Sequence, residues 1–264
     1  PTAFRWQQNR SAKWIGTKPE AIVVPHTLDV LGRRIGSQDG GAEKRILAAL
    51  WAEFAGWYVT EGCSFITRSG SYRVVISQRK LVNPGNYARI VQLVKEMGFR
   101  PYLTPDGHDI KIQSRQLYLF VQRFGVGAKN KKLPKEMLSW DKEHLEILYQ
   151  TMMKGDGSAG RRYQTISDTL ADQFSEICLK TGRCVTTRKE INKHGRSIWR
   201  QSVSKAKTPQ LGENHRKRLH IEYVPYDGFV YDLTVQNHII FVRRNGKAVW
   251  SSNCYGLGHM LTDG

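Results

Sequence analysis

Two acidic residues, Glu61 and Asp156, close two stretches of similar design, Phe54 to Gly62 (FAGWYVTEG) and Tyr149 to Gly157 (YQTMMKGDG). Each stretch is an apolar, helix-like run with small residues where two backbones could touch, and each ends in an acid followed by glycine. A single copy would ordinarily be a core helix closed by a glycine of positive φ. Two copies, their acids 95 positions apart and each followed by strand-like, helical and again strand-like material, read as a repeated unit. Two such helices packed side by side would bring the carboxylates together at one end. That arrangement suits a divalent metal bound over a phosphodiester.

The chain around these acids has 264 residues, enough for more than one domain. Its 41 Lys and Arg outnumber 23 Asp and Glu, giving a formal net charge of +18, which points to a polyanionic partner, above all nucleic acid. The basic residues are dispersed through strand-like segments: Arg68, Arg73, Arg79, Lys80, Lys111, Arg161, Arg162, Arg188, Lys189, Arg196 and Arg200. The folded surface is therefore the expected binding surface. No apolar run reaches the length of a membrane span, and PTAFRWQQNR lacks the apolar centre of a signal peptide. The expectation is an intracellular protein, cytoplasmic in a prokaryotic or phage-infected cell, without a membrane partner. Cys63, Cys178 and Cys184 form no CxxC pair and no zinc-ligand spacing with histidine, so they read as reduced structural thiols.

Residues 1 to about 44 hold too few apolar residues for a core and read as a segment whose packing partner lies elsewhere. From Ala42 a helical spacing of Ile46, Leu47, Leu50, Phe54 and Trp57 leads into the first acidic stretch. Strands are expected at 64–67 and 72–77, a helix from Tyr87 to Met97, a hairpin of 101–104 with 109–113, and a helix at 117–124. The second copy is less regular: a helix at 145–154, a strand at 163–166, a helix at 170–181, and a hairpin of 184–187 with 198–203. Between the copies, residues 125–134 (GVGAKNKKLP) look like a flexible basic linker. Along 72–79, Arg73, Val75, Ser77 and Arg79 alternate with Tyr72, Val74 and Ile76, so one face is free to meet DNA. A curved sheet carrying Arg, Ser and Gln can read a major groove. The fold class is α/β (α+β) with antiparallel sheets.

The paired stretches resemble the LAGLIDADG homing endonucleases of the single-chain type, over residues 44–208. The resemblance implies two pseudo-symmetric αββαββα halves, 44–128 and 136–208, with the two motif helices between them. It also implies Glu61 and Asp156 as ligands of catalytic Mg²⁺, with Mn²⁺ able to substitute. Ala55, Gly56, Thr60, Thr151 and Gly155 fall at the close-packing positions, where Thr151 and Gln150 depart from the smallest residues and predict a looser second helix. Gln78 and Arg115 match polar and basic positions that support a metal-bound water in this family. In the second half Ser167 with Lys205 or Lys207 are the matching candidates, and plain phosphate contact is the equal alternative for all of them. The implied partner is double-stranded DNA with a long asymmetric site, bound by a monomer.

The last module resembles the carboxy-terminal splicing region of an intein. Its residues are VYDLTVQNHIIFVRRNG followed by VWSSNC. By that resemblance residues 209–253 are a small all-β piece of the splicing domain. Asn253 ends the intein, residues 254–264 begin the downstream extein at Cys254, and Asp232, His238 and Ser252 belong to the reacting set. An Asn side chain can attack its own carbonyl to form a succinimide, releasing the chain before a Cys that has accepted the upstream segment through its thiolate. Ser252 stands where His is usual, and a hydroxyl polarises a carbonyl less well than imidazole. Ile239 replaces another usual histidine, with His238 adjacent. Residues 1–43 carry no amino-terminal splicing motif and look like the segment preceding an endonuclease insertion, so a partner amino-terminal intein fragment is expected. Two other readings stay open: a decayed insert that binds DNA without cutting it, and an RNA-binding maturase on the same scaffold.

Overall fold

The computed structural model describes residues 14–26, 42–158, 161–192, 195–204, 227, 239–244 and 247–252. Strand β1 (Ala21–Val24) pairs antiparallel with β2 (Lys44–Leu47), which runs straight into helix α1 (Ala48–Glu61). The expected helix from Ala42 therefore starts later. Ile46 is 2% exposed and its neighbour Leu47 57%, the two-residue alternation of a strand with one covered face. Strands β3 (Gly62–Ile66) and β4 (Tyr72–Ser77) follow, then α2 (Pro84–Glu96), β5 (Pro101–Leu103), β6 (Asp109–Gln113) and α3 (Arg115–Val121). Pro84 sits in the first turn of α2, where its missing N–H is not needed, and Ser114 caps α3 by accepting from the Leu117 N–H.

A short α4 (Lys135–Leu138) precedes α5 (Lys142–Gly155), whose N-cap Asp141 accepts from the His144 N–H. Next come β7 (Gly157–Ser158), β8 (Arg162–Thr165), α6 (Asp168–Lys180), β9 (Cys184–Ile191), β10 (Ser197–Ser204), and a hairpin of β11 (Ile239–Arg244) and β12 (Lys247–Ser252). All pairings between these strands are antiparallel, so the molecule is a mixed α/β structure with antiparallel sheets. One sheet has the order β3-β4-β6-β5, and the other runs β7-β8-β10-β9-β12-β11. Its first four strands repeat the order of the first sheet, and in each sheet the strand leaving the acidic helix is an edge.

The undersides of the two sheets differ. Val74, Ile76, Ile110 and Ile112 give the first an apolar face that joins Trp51, Phe54, Tyr87, Ile90 and Leu117 in the core. Beneath the second, the amide of Gln201 is wholly buried and donates to the Ala171 carbonyl, the Ser175 hydroxyl and the Thr187 hydroxyl. The Gln201 amide nitrogen is bonded in this way, while its side-chain oxygen is left without a hydrogen-bond partner.

One expectation changes. Residues 125–134 are not a loose linker. Lys131 is 5% exposed, donates to the Tyr58 carbonyl at 2.9 Å and lies 3.6 Å from the Tyr58 ring centroid, while Leu133 is in the core and exchanges two bonds with Gln173. The segment preceding α1 finds its packing partner in two places. Thr17 bonds to Ser139 and Asp141, Trp14 donates to the Trp140 carbonyl, and the Gln116 amide gathers the carbonyls of Val24, Pro25 and Ala42. The β11–β12 hairpin, expected in a separate module, is paired through β12 to β9, with Lys247 opposite Thr186. An edge strand such as β9 offers unpaired backbone groups that a further strand satisfies.

Candidate functional site

Helices α1 and α5 touch along their last turns, and the contact is reciprocal. A Cβ on Gly56 would lie 2.6 Å from the Thr151 Cβ, and one on Gly155 would lie 2.2 Å from the Thr60 hydroxyl oxygen. Each threonine thus fills the space left by a glycine of the other helix. Both hydroxyls donate within their own helix, Thr60 to the Gly56 carbonyl and Thr151 to that of Ile147, so no polar group is stranded. The looser second helix predicted from Thr151 and Gln150 is not found: Thr151 is received by Gly56, and Gln150 is exposed and bonded to Glu146.

The glycines after the acids have a different role from the expected one. Gly62 is extended, with φ −94 and ψ 149, and Gly157 is not among the glycines of positive φ. A Cβ would meet the Tyr58 carbonyl oxygen at 2.5 Å in the first case and the Met153 carbonyl oxygen at 2.1 Å in the second. Each helix ends by turning directly into a strand laid against its own last turn. Only a residue without a side chain permits that approach.

This geometry brings the acids within electrostatic reach of each other. Burial pushes the Asp156 carboxyl up to about 7, and the charge of Glu61 adds to the effect. Burial also raises the Glu61 carboxyl. Two partly buried carboxylates that resist simultaneous ionisation form a site that a cation relieves. Beside Glu61 lies a cleft of about 470 Å³ lined by Ser77, Gln78, Arg79, Val82, Asn83, Asp106, His108 and Asp109. Among the described residues no cluster of three or more His, Cys, Asp and Glu is placed to hold a metal by itself. A pair of carboxylates suits a hard, strongly hydrated ion such as Mg²⁺, which takes one or two carboxylates and completes its shell with water and substrate phosphate.

Gln78 reaches this cleft, buried, with its side-chain oxygen accepting from the Asn83 amide at 2.8 Å. Arg115 does not. It stands in the first turn of α3 with its guanidinium 5.2 Å from the Tyr72 ring, and Tyr72 pairs with Ile66 at the far end of β4 from the Gly62–Ile76 pair. Ser167 is the N-cap of α6, accepting from the Leu170 N–H and donating to the Lys131 carbonyl, so its oxygen is committed to the fold. The register gives the second-half counterpart of Gln78. Gly62 faces Ile76 and Gly157 faces Tyr163, so the residue two beyond, Gln78 in one half, is Thr165 in the other. The sequence missed Thr165 because register between strands is not written in either strand alone.

On the open face of the first sheet Arg73 pairs with Gln113, donating to its side-chain oxygen, Val75 with Lys111, and Ser77 with Asp109. Arg68, Arg79 and Lys80 are exposed in flanking turns. On the second sheet Arg188, Arg200 and Gln164 form one cross-strand row, and Thr186, Ser202 and Arg162 the next; Arg161 is exposed just before β8. Lys189 corrects the sequence reading. It pairs with Trp199 on the opposite face, 4.8 Å from that ring and 3.3 Å from the Asp168 carboxylate, because strand neighbours alternate sides. Lys205, Lys207, Asp232, His238, Asn253 and Cys254 lie outside the described residues, and Ser252 ends β12 opposite Ile239. Cys63, Cys178 and Cys184 are free thiols.

No family model matches the chain. Among curated proteins it is similar to the C-terminal section of the DNA-directed RNA polymerase subunit beta of Stigeoclonium helveticum, at 29% identity over 159 residues, which is 55% of this chain and 15% of that protein. The chain spans only a small part of that relative's length. Among solved structures it is similar to mesophilic variants of the homing endonuclease I-DmoI, at 14% identity and TM-score 0.45, over 60% of this chain and 89% of that one. It is also similar to I-DmoI in complex with DNA and Ca, at 14% identity and TM-score 0.45, over 60% and 83% of the two chains. The homing endonuclease I-WcaI bound to its DNA recognition sequence matches at 11% identity and TM-score 0.40, over 66% of this chain and 86% of that one.

Proposed function

We propose that this chain is a site-specific DNA endonuclease of the LAGLIDADG type that makes Mg²⁺-dependent double-strand breaks, carried in the carboxy-terminal part of an intein. The observation that carries the nuclease reading is the convergence of Glu61 and Asp156 at the ends of two glycine-packed helices, each leading into the edge strand of a sheet with basic residues on its open face. We read the repeated strand order as two halves of one pseudo-symmetric unit, each sheet starting at an acid and extending outward.

In this reading Glu61 and Asp156 hold the divalent metal. When bound, it supplies the activation of water and the stabilisation of the leaving oxygen. The proteins' own groups do the rest. The α1–α5 contact holds the carboxylates in one place, and Gln78, its oxygen held by Asn83, keeps its amide N–H groups as donors at the cleft. Arg73 with Gln113, Arg162, Arg188 and Arg200 orient the duplex through phosphate and base-edge contacts. Asn253 and Cys254 would carry cyclisation and ligation with an amino-terminal intein fragment, and Asp232, His238 and Ser252 would assist them.

The test is cleavage, with Mg²⁺, of a target recovered from a randomised duplex library, with Glu61→Gln and Asp156→Asn beside the parent. Specific double-strand cutting that falls about a thousandfold in both variants supports the reading, since each removes a ligand of an ion contributing several kcal/mol. Cutting that survives either substitution sinks it. A second reading, an insert that binds DNA but no longer cuts, is favoured by the missing glutamine at Thr165 and the structural commitment of Ser167. It predicts selection of a target by the parent with no cleavage at any metal concentration.

A further inference from the structure

Leu81 is 92% exposed and Val82 64%, which makes the turn between β4 and α2 the most exposed apolar point among the described residues. A single exposed leucine is ordinary and by itself means nothing. Three features set this one apart. The turn is rigid: the N–H groups of Val82 and Asn83 both donate to the Arg79 carbonyl, the Lys80 N–H donates to the Gly107 carbonyl, and Asn83 is tied to Gln78. It is flanked by exposed Arg79 and Lys80, the surroundings of a polyanion contact. It also borders the cleft that holds Glu61, because Val82, Arg79 and Gln78 line the same space.

A water-exposed apolar tip held rigidly next to two cations, beside the proposed phosphodiester site, matches one occupant chemically: a base step of duplex DNA. Apolar side chains inserted between base steps unstack them and kink the helix, and neighbouring Arg and Lys hold the phosphates on either side. We infer that Leu81, backed by Val82, is a wedge inserted between stacked bases next to the phosphates presented to Glu61 and Asp156. The inference rests on the endonuclease reading above and adds a residue that deforms the target and so reads its flexibility. Pyrimidine–purine steps, which unstack most readily, would be favoured at that position.

The experiment uses the full chain and the library-selected duplex, without divalent metal so that no cutting intervenes. 2-Aminopurine is placed at each central step in turn, and energy transfer between dyes at the duplex ends reports bending. The parent should raise 2-aminopurine fluorescence at one step and bring the ends closer. Leu81→Ala should abolish both signals and weaken binding about tenfold, the scale of a lost buried leucine side chain. It should leave the slope of affinity against salt and the melting temperature unchanged, since no charge or core contact is removed. Leu81→Met should keep most of the signal. Equal fluorescence and bending in parent and Leu81→Ala, or a parent that binds without unstacking any central step, overturns the wedge and leaves the endonuclease reading standing. A parent that binds no duplex overturns both.

Discussion

Glu61 leaves α1 beside an open cleft with Gln78, Asn83 and His108 around it, over a sheet whose underside is aliphatic. Asp156 leaves α5 in a more enclosed place: its carboxyl is pushed up to about 7, its charge also bears on the wholly buried Tyr163, and the sheet beside it rests on a hydrogen-bonded cluster around Gln201. The strand order repeats while the surroundings of the acid do not. The lesson is that packing two helix ends together fixes where the carboxylates are. What each one does depends on the second strand of its own sheet and on how much water reaches it. One half leaves its acid beside an open cleft, and the other keeps an acid whose carboxyl is pushed up to about 7 by burial and by the charge of Glu61.

The largest effect that could break this comparison concerns Asp156 in the metal-free protein. Its folded-state value, about 7, lies above the ordinary 3.8, so between these pH values the folded chain holds a proton that the unfolded chain has released. Stability is therefore lost as pH rises from about 4 to 7, and the penalty is complete above 7, at most roughly 4 kcal/mol. Asp156→Asn should raise the melting temperature of the metal-free protein at pH 8 and leave it unchanged near pH 4. Glu61→Gln should also stabilise at pH 8, partly by relieving Asp156. An Asp156→Asn variant no more stable than the parent at pH 8 would show the two ends to be alike.

Next in size is the helix contact. Gly155→Ala drives a methyl into Thr60 and should cost about 1–3 kcal/mol in denaturant unfolding, and Thr60→Ala in the same chain should recover most of it. Gly56→Ala with Thr151→Ala should behave likewise if the packing is reciprocal. A cost that the second substitution does not relieve would mean that the backbones, not the threonines, set the spacing.

Smaller effects sharpen the difference between the halves. Gln78→Ala should slow cleavage about tenfold at saturating DNA, within the range of outer-shell losses, whereas Thr165→Ala should have a lesser effect. Equal losses would restore symmetry around the acids. Smallest of all, Arg188→Ala should reduce the salt slope of DNA affinity by about 0.9, while Lys189→Ala leaves it unchanged because that ammonium is on the other face with Trp199 and Asp168. A slope reduced by Lys189→Ala alone would place the binding surface on the wrong side of the sheet.

The periodicities were local enough to read from the chain. Helices ending at Glu61 and Asp156 and the strand Tyr72–Ser77 with its alternating faces each follow from spacings within a few residues. The glycines at 56 and 155 were legible as close-packing positions for the same reason. What the chain could not say was which residue each glycine would receive, that Lys131 would be drawn under Tyr58, or that β12 would join β9. It also could not say that Ser167 would be spent on a helix cap, that Arg115 would stand at the far end of β4, or that Lys189 would turn away from Arg188. Those outcomes depend on register and on contacts between residues many positions apart, where a shift of one residue reverses a face. The raised carboxyl of Asp156 belongs to the same class. Aspartate and glutamate at positions 156 and 61 are given by sequence, but desolvation and mutual repulsion exist only once the tertiary structure has excluded water and set the two charges side by side.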